Sequence, residues 1–165
     1  MAALADRIDR LTTAIGRAVA WLALVIVVLQ FALVVARYVF GFGSIWLTET
    51  VVYANAALFL LAAAWTLSAG GHVRVDVFYA QASVRKRALI DLAGSVALLL
   101  PFTLVLLWLS APYATRSWAI LERSQESSGL PLVFLLKTLI PVFAMLMALQ
   151  GVSQAIRAAA ALGRR

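Results

Sequence analysis

The stretch Ser44-Ile45-Trp46-Leu47-Thr48-Glu49, continued to His72-Val73-Arg74-Val75-Asp76, decides how the rest of the chain is read. Between these two marked ends, Thr50 to Leu67 carries no formal charge. At a rise of about 1.5 Å per residue, this run and the helical turn before it can cross a hydrocarbon layer about 30 Å thick. The two ends are unlike. One presents an indole, Trp46, and a single carboxylate, Glu49; the other groups His72, Arg74 and Asp76. The segment therefore reads as a membrane helix with distinguishable ends, and its neighbours can be placed relative to it.

Composition agrees. The 165 residues are 64% hydrophobic, with a mean hydropathy of +0.98. A soluble domain holds about 45–50% apolar residues. The excess marks an integral membrane protein and leaves no room for a soluble domain. A net charge of +7 raises the question of nucleic acid. The cations lie between apolar runs and at the termini, not on one folded face, so nucleic acid is not an expected partner. There is no cysteine. That removes disulfides, thiolate metal sites, iron–sulfur clusters and thioether-linked haem. The single histidine, His72, cannot supply both ligands of a bis-histidine haem, and no cofactor is expected.

Taken in order, residues 1–17 repeat Leu4, Ile8, Leu11 and Ile15 at helical spacing, among Asp6, Arg7, Asp9, Arg10 and Arg17. This predicts a short N-terminal amphipathic helix on the membrane surface; a frayed polar tail is the alternative. The run Ala18 to Ala36 is too long for the apolar core of a typical signal peptide and reads as an uncleaved first span. Gly41, Phe42 and Gly43 form a tight turn. Ser44 is suited to cap the next helix, and Glu49 falls within its first two turns, where the helix dipole favours a carboxylate. Ser68 to Gly71 break that helix. Residues 72–79 alternate, but a lone strand has nothing to pair with, so an interfacial connector is expected.

Leu92 to Tyr113 is the third run. Pro101, near its middle, frees the Ala97 carbonyl and should kink the helix. Residues 114–130 form the longest hydrophilic link. Leu130 to Ile156 is the fourth run, with Lys137 placed to snorkel and Pro141 offering a second kink. The expectation is one all-α membrane domain over residues 1–165, with four transmembrane helices near 18–39, 46–68, 88–113 and 131–156.

Orientation follows from Lys and Arg. One side receives ten: Arg7, Arg10, Arg17, Arg74, Arg85, Lys86, Arg87, Arg157, Arg164 and Arg165. The other receives four: Arg37, Arg116, Arg123 and Lys137. With an even number of crossings, both termini are expected in the cytoplasm and the links at 40–48 and 114–130 face outward.

No charged residue sits at the centre of any apolar run. Ion and proton pathways usually carry ionisable groups there, which argues against a self-sufficient pump, channel or coupled carrier, and against a small multidrug exporter. Ser44, Ser68, Ser83 and Ser110 have no histidine base but His72 at a cytoplasmic edge. No enzyme is expected, and no catalytic, substrate-, ion- or metal-binding residue is assigned. The polar residues within the runs include Gln30, Asn55, Thr66, Thr103, Gln150 and Gln154. Such side chains either join helices, at about 0.6–2 kcal/mol each, or line a pathway. Trp46, Trp65, Trp108, Trp118 and Tyr113 lie near predicted interfaces as an aromatic belt would. Trp46 has the stronger case for a partner contact, since Glu49 lies one turn on.

Arg37-Tyr38-Val39-Phe40, Trp46-x-x-Glu49, Tyr53 and His72-Val73-Arg74-Val75-Asp76, in this order, resemble the small membrane subunit of tripartite ATP-independent periplasmic (TRAP) transporters, the DctQ-like family. Ser124 to Pro131, Lys137, Pro141 and Leu149-Gln150 are similar to that family's last loop and helix. The resemblance implies a multi-pass protein of the bacterial inner (cytoplasmic) membrane. It implies two protein partners: a large elevator-type permease subunit holding the substrate and sodium sites, and a periplasmic substrate-binding protein that delivers an organic acid. The small subunit then serves as scaffold, with the lipid bilayer around it. Candidate interface or membrane-edge residues are Arg37, Trp46, Glu49, Tyr53, His72, Arg74, Asp76 and Lys137. Two other readings stay open: an accessory or anchor subunit of another membrane complex, and a homo-oligomeric channel.

Overall fold

The computed structural model describes residues 2–72, 79 and 82–163. It is all-helical, with no strand among the described residues. Four helices are long and apolar enough to cross a membrane. Helix α1 spans Ala2–Phe40 and α2 spans Ile45–Ser68. The third crossing is built from α3 (Val84–Ala93), a π-helical turn (Gly94–Leu99) and α4 (Leu100–Ala119). Helix α5 spans Val133–Gly163.

The helix ends show why the chain breaks where it does. Ser44 accepts the Leu47 N–H at 3.3 Å, and Ser83 accepts the Lys86 N–H at 3.4 Å, each capping the start of a helix. Helix α2 closes on a left-handed Gly70 at φ +70°. Gly70 N–H donates to the Leu67 carbonyl at 3.1 Å and Gly71 N–H to the Thr66 carbonyl at 2.8 Å, the paired bonds of a Schellman end. Helix α4 closes in the same way, but the left-handed residue is Leu121, at φ 47°. Its Cβ makes that conformation cost about 1–2 kcal/mol, which glycine would not incur.

Pro101 is accommodated by a change of helical register. Leu100 N–H reaches back five residues to the Ser95 carbonyl, closing a π turn just before the proline. The buried Thr103 hydroxyl donates to the Leu99 and Leu100 carbonyls at 2.9 and 3.0 Å. Pro141 lies inside α5, and Pro112 lies inside α4.

Helix α5 packs against every other helix of the bundle. The buried positions are mostly small: Ala5, Ala64, Ala88, Ala114, Ala144, Gly151, Ser153 and Ala158. Lipid tails are as apolar as leucine, so close backbone approach, not exclusion of water, holds such helices together. Gly16 of α1 shows how close. A Cβ there would lie 2.5 Å from Trp65 Cβ on α2 and 2.6 Å from its indole.

The N-terminal amphipathic segment departs from its expected placement. It is helical, but it continues into the first span without a break. It packs against α5 and does not form a separate surface helix. Helix α1 has 39 residues and α5 has 31, so they are about 58 and 46 Å long. Both exceed a layer about 30 Å thick, and their polar ends meet. The Asp9 carboxylate accepts Gln150 Nε2 at 3.0 Å, Ser153 Oγ at 2.6 Å and Arg157 Nε at 2.9 Å. Arg157 also reaches Asp6 at 2.8 Å, and Thr12 donates to Gln150 Oε1 at 2.9 Å. Asp9 stands ahead of the apolar run 18–36. Burial alone would raise its carboxyl, but the hydrogen bonds from Ser153, Gln150 and Arg157 and the Arg157 charge outweigh it and lower the pKa. These partners lie 138 to 151 residues away in sequence, so local periodicity carries no trace of them.

Two substitutions test the close approach. Gly16→Ala should separate α1 from α2 and destabilise the bundle by about 1–3 kcal/mol. Gly94→Ala, where a Cβ meets nothing within 4 Å, should leave it unchanged. Thermal unfolding of the detergent-solubilised chain reads both.

Candidate functional site

The end of the bundle where α1 meets α2 and α4 meets α5 gathers most of the residues expected at a partner-facing edge. Glu49 is positioned by the first turns of α2, started by the Ser44 cap. Both of its carboxylate oxygens are occupied by the 120–132 link: one accepts the Ser124 hydroxyl, the other the Leu130 N–H at 2.5 Å. Hydrogen bonds to a charged acceptor contribute about 1.5–3 kcal/mol each. Gly129 makes room for this clamp, since a Cβ there would collide with Ser124 and lie 2.8 Å from Glu49 Oε1. Ser124 N–H also donates to the Leu130 carbonyl at 3.1 Å, closing the link on itself.

A second tie holds the other end of the link. Lys137 Nζ lies 2.6 Å from Glu122 Oε2 and 4.3 Å from the centroid of the Tyr113 ring. Snorkelling to headgroups is thus replaced by an ion pair within the chain. The Lys137 hydrogen bond holds the Glu122 carboxyl below its ordinary value of 4.5. Beside it, Trp118 Nε1 donates to Thr138 Oγ1 at 2.8 Å and its ring meets Phe134 edge-on at 4.5 Å.

The structure thus separates residues that the sequence places together. Glu49 faces its own chain, while Trp46, three residues earlier, is 50% exposed and its indole has no hydrogen bond among the described residues. The Tyr53 hydroxyl is buried without a hydrogen-bond partner among the described residues. Arg37 and Tyr38 are exposed. With Gln30, Ser44, Thr48, Glu49 and Glu126 they border an open cleft of about 670 Å³ between the end of α1 and the start of α2. At the opposite end, His72 is half-buried in the bend after Gly71, whereas Arg74 and Asp76 lie outside the described residues. There Tyr79 Oη donates to Asp91 at 2.8 Å, and Arg87 Nε donates to the Tyr79 and Ala82 carbonyls. Sequence reasoning missed Ser124, Gly129 and Leu130 as the seat of Glu49, and Glu122 as the partner of Lys137. Only the Gly129 turn before the last span offered a local signal.

Glu49→Gln should cost about 1–3 kcal/mol, the worth of its charge-assisted bonds, and speed proteolysis within 120–132. The Glu122 tie is pH-sensitive in one direction. A carboxyl depressed in the folded state stabilises it above the unfolded value and loses that contribution as pH falls through the folded value. Protease sensitivity of the link should therefore stay flat from pH 7 to 5 and rise below about 4.5. In Glu122→Gln that acid-dependent rise should shrink.

Comparison with curated proteins and with solved structures finds no match. The family described as "Tripartite ATP-independent periplasmic transporters, DctQ component" matches residues 25–161. That range takes in the later part of the first apolar crossing, the other three crossings, the Glu49 clamp, the Lys137–Glu122 pair and the α5 side of the Asp9 lock. This multi-pass membrane chain belongs to the DctQ component family of tripartite ATP-independent periplasmic transporters.

Proposed function

We propose that this chain is the small scaffold subunit of a sodium-coupled transporter, binding a large permease subunit that takes up an organic acid delivered by a periplasmic binding protein. One observation carries the reading. A few ionisable groups fix the two ends of the bundle: Asp9 with Arg157 at one, Glu49 and the Lys137–Glu122 pair at the other. A static support for a moving partner needs such braces. Family membership supports the transporter setting.

The ten-to-four split of cations supports cytoplasmic termini in a bacterial inner membrane. In that orientation the Glu49 clamp and Trp46 face the periplasm. Trp46, with Arg37 and Tyr53 near the same edge, would meet the large subunit or the docked binding protein. His72, Arg74 and Asp76 would mark the cytoplasmic edge, against lipid headgroups or one another.

Two experiments test this. Gly43→Cys and Ser127→Cys should react with a membrane-impermeant thiol reagent in intact cells, and Val84→Cys should not; labelling of Val84→Cys alone reverses the orientation. Deleting the gene should abolish uptake that the restored chain recovers, while the isolated chain gives no saturable binding heat with organic acids and sodium. A sodium-dependent isotherm from the isolated chain would contradict the scaffold role.

A further inference from the structure

Two polar side chains in the apolar runs are not accounted for by the bundle. Gln30 on α1 and Asn55 on α2 are both exposed, and neither has a hydrogen-bond partner among the described residues. The buried amide Gln150, by contrast, is tied to Thr12 and Asp9. Gln30 lies seven residues before Arg37, and Asn55 seven residues after Thr48. Seven residues are close to two turns, so each amide shares a face with a residue of the outer cleft, about 10 Å further in. Gln30 itself borders that cleft. Helices α1 and α2 form a hairpin joined at residues 41–44. The two amides therefore sit at one depth, inside the hydrocarbon layer.

Lipid tails offer an amide nothing to bond, and an unpaired amide in an apolar medium costs several kcal/mol. Two at one level call for a polar group opposite them. The same face continues outward to Arg37, exposed and without an ion pair among the described residues. It also carries Val34 and Val52, which are 44% and 53% exposed. In a two-fold dimer about the membrane normal, residues at one depth meet their own copies, which would set Arg37 against Arg37. A different chain can instead place an acceptor there.

We propose that the α1–α2 face bearing Gln30, Asn55 and Arg37 receives a transmembrane helix of the large permease subunit. That helix presents hydrogen-bonding side chains opposite the two amides and an acidic or carbonyl group near Arg37. The proposal rests on the scaffold reading above and names the surface that performs it.

Photo-reactive residues placed at Val34 and Val52, beside the amides, and at Trp108 and Leu98 on the third crossing, should be irradiated in membranes of cells making the whole transporter. Adducts with the large subunit are expected from positions 34 and 52 and not from 98 or 108. Separately, Gln30→Leu with Asn55→Leu should leave membrane level and thermal unfolding of the isolated chain unchanged, since no internal bond is lost. Co-purification of the large subunit should fall at least tenfold. Adducts of this chain with itself at 34 and 52 would assign the face to a second copy and overturn the proposal. Adducts with lipid alone, or unchanged co-purification by the double variant, would overturn it too. If the parent chain recovers the large subunit, only the face is wrong; if it does not, the scaffold reading falls with it.

Discussion

Inside a bilayer nothing squeezes one apolar helix against another, because the solvent is as apolar as the side chains. This bundle depends on two substitutes for that missing force. One is shape: alanine, glycine and serine at the buried positions let backbones approach until dispersion acts over many atoms. The other is the polar seam between α1 and α5, where Asp9 gathers Gln150, Ser153 and Arg157. The seam is at the bundle's end, close enough to water for a carboxylate and a guanidinium to keep their charges, and buried enough for their bonds to be directional. Helix α5 supplies one side of it and touches all the other helices, so the arrangement of the whole passes through this one element.

The opposite end solves a different problem. A link about a dozen residues long between α4 and α5 would ordinarily be the most mobile part of such a protein. Here it is fastened twice, by Glu49 to Ser124 and Leu130, and by Glu122 to Lys137. Both ties use groups from different helices, so the link also sets the spacing of α2 against α5. The left-handed Leu121 at its start is the conformational cost of turning the chain directly out of α4 into that clamp.

Hydropathy and turn chemistry made the architecture legible. Four apolar runs, the Ser44 cap and the Gly70 break state local facts that the structure repeats. The site was legible in part. Glu49 stood out as a carboxylate beside an apolar helix, but the donors it accepts from lie 75 and 81 residues downstream. The first seventeen residues misled for a related reason. Their periodicity describes an apolar stripe, of which Leu4 and Leu11 stay exposed; the segment is tied to α5 instead through Asp9, whose partner Arg157 lies 148 residues away. Pro101 was read as a kink because the rule concerns one lost hydrogen bond; the register change that absorbs it is the Leu100-to-Ser95 bond of a π turn that packs on α5.

The Asp9 seam also imposes an order on biosynthesis. Chains are made from the N-terminus, and the first helix emerges long before residues 150–157 exist. The α1–α2 hairpin, with Gly16 seated on Trp65, can form early from neighbouring sequence. Asp9 and Thr12 must meanwhile wait in water or at headgroups. Completion of the last helix then acts as a latch. A chain cut short before Gln150 would insert its first three crossings yet leave an open acidic edge, a feature by which a quality-control protease could tell unfinished molecules from finished ones.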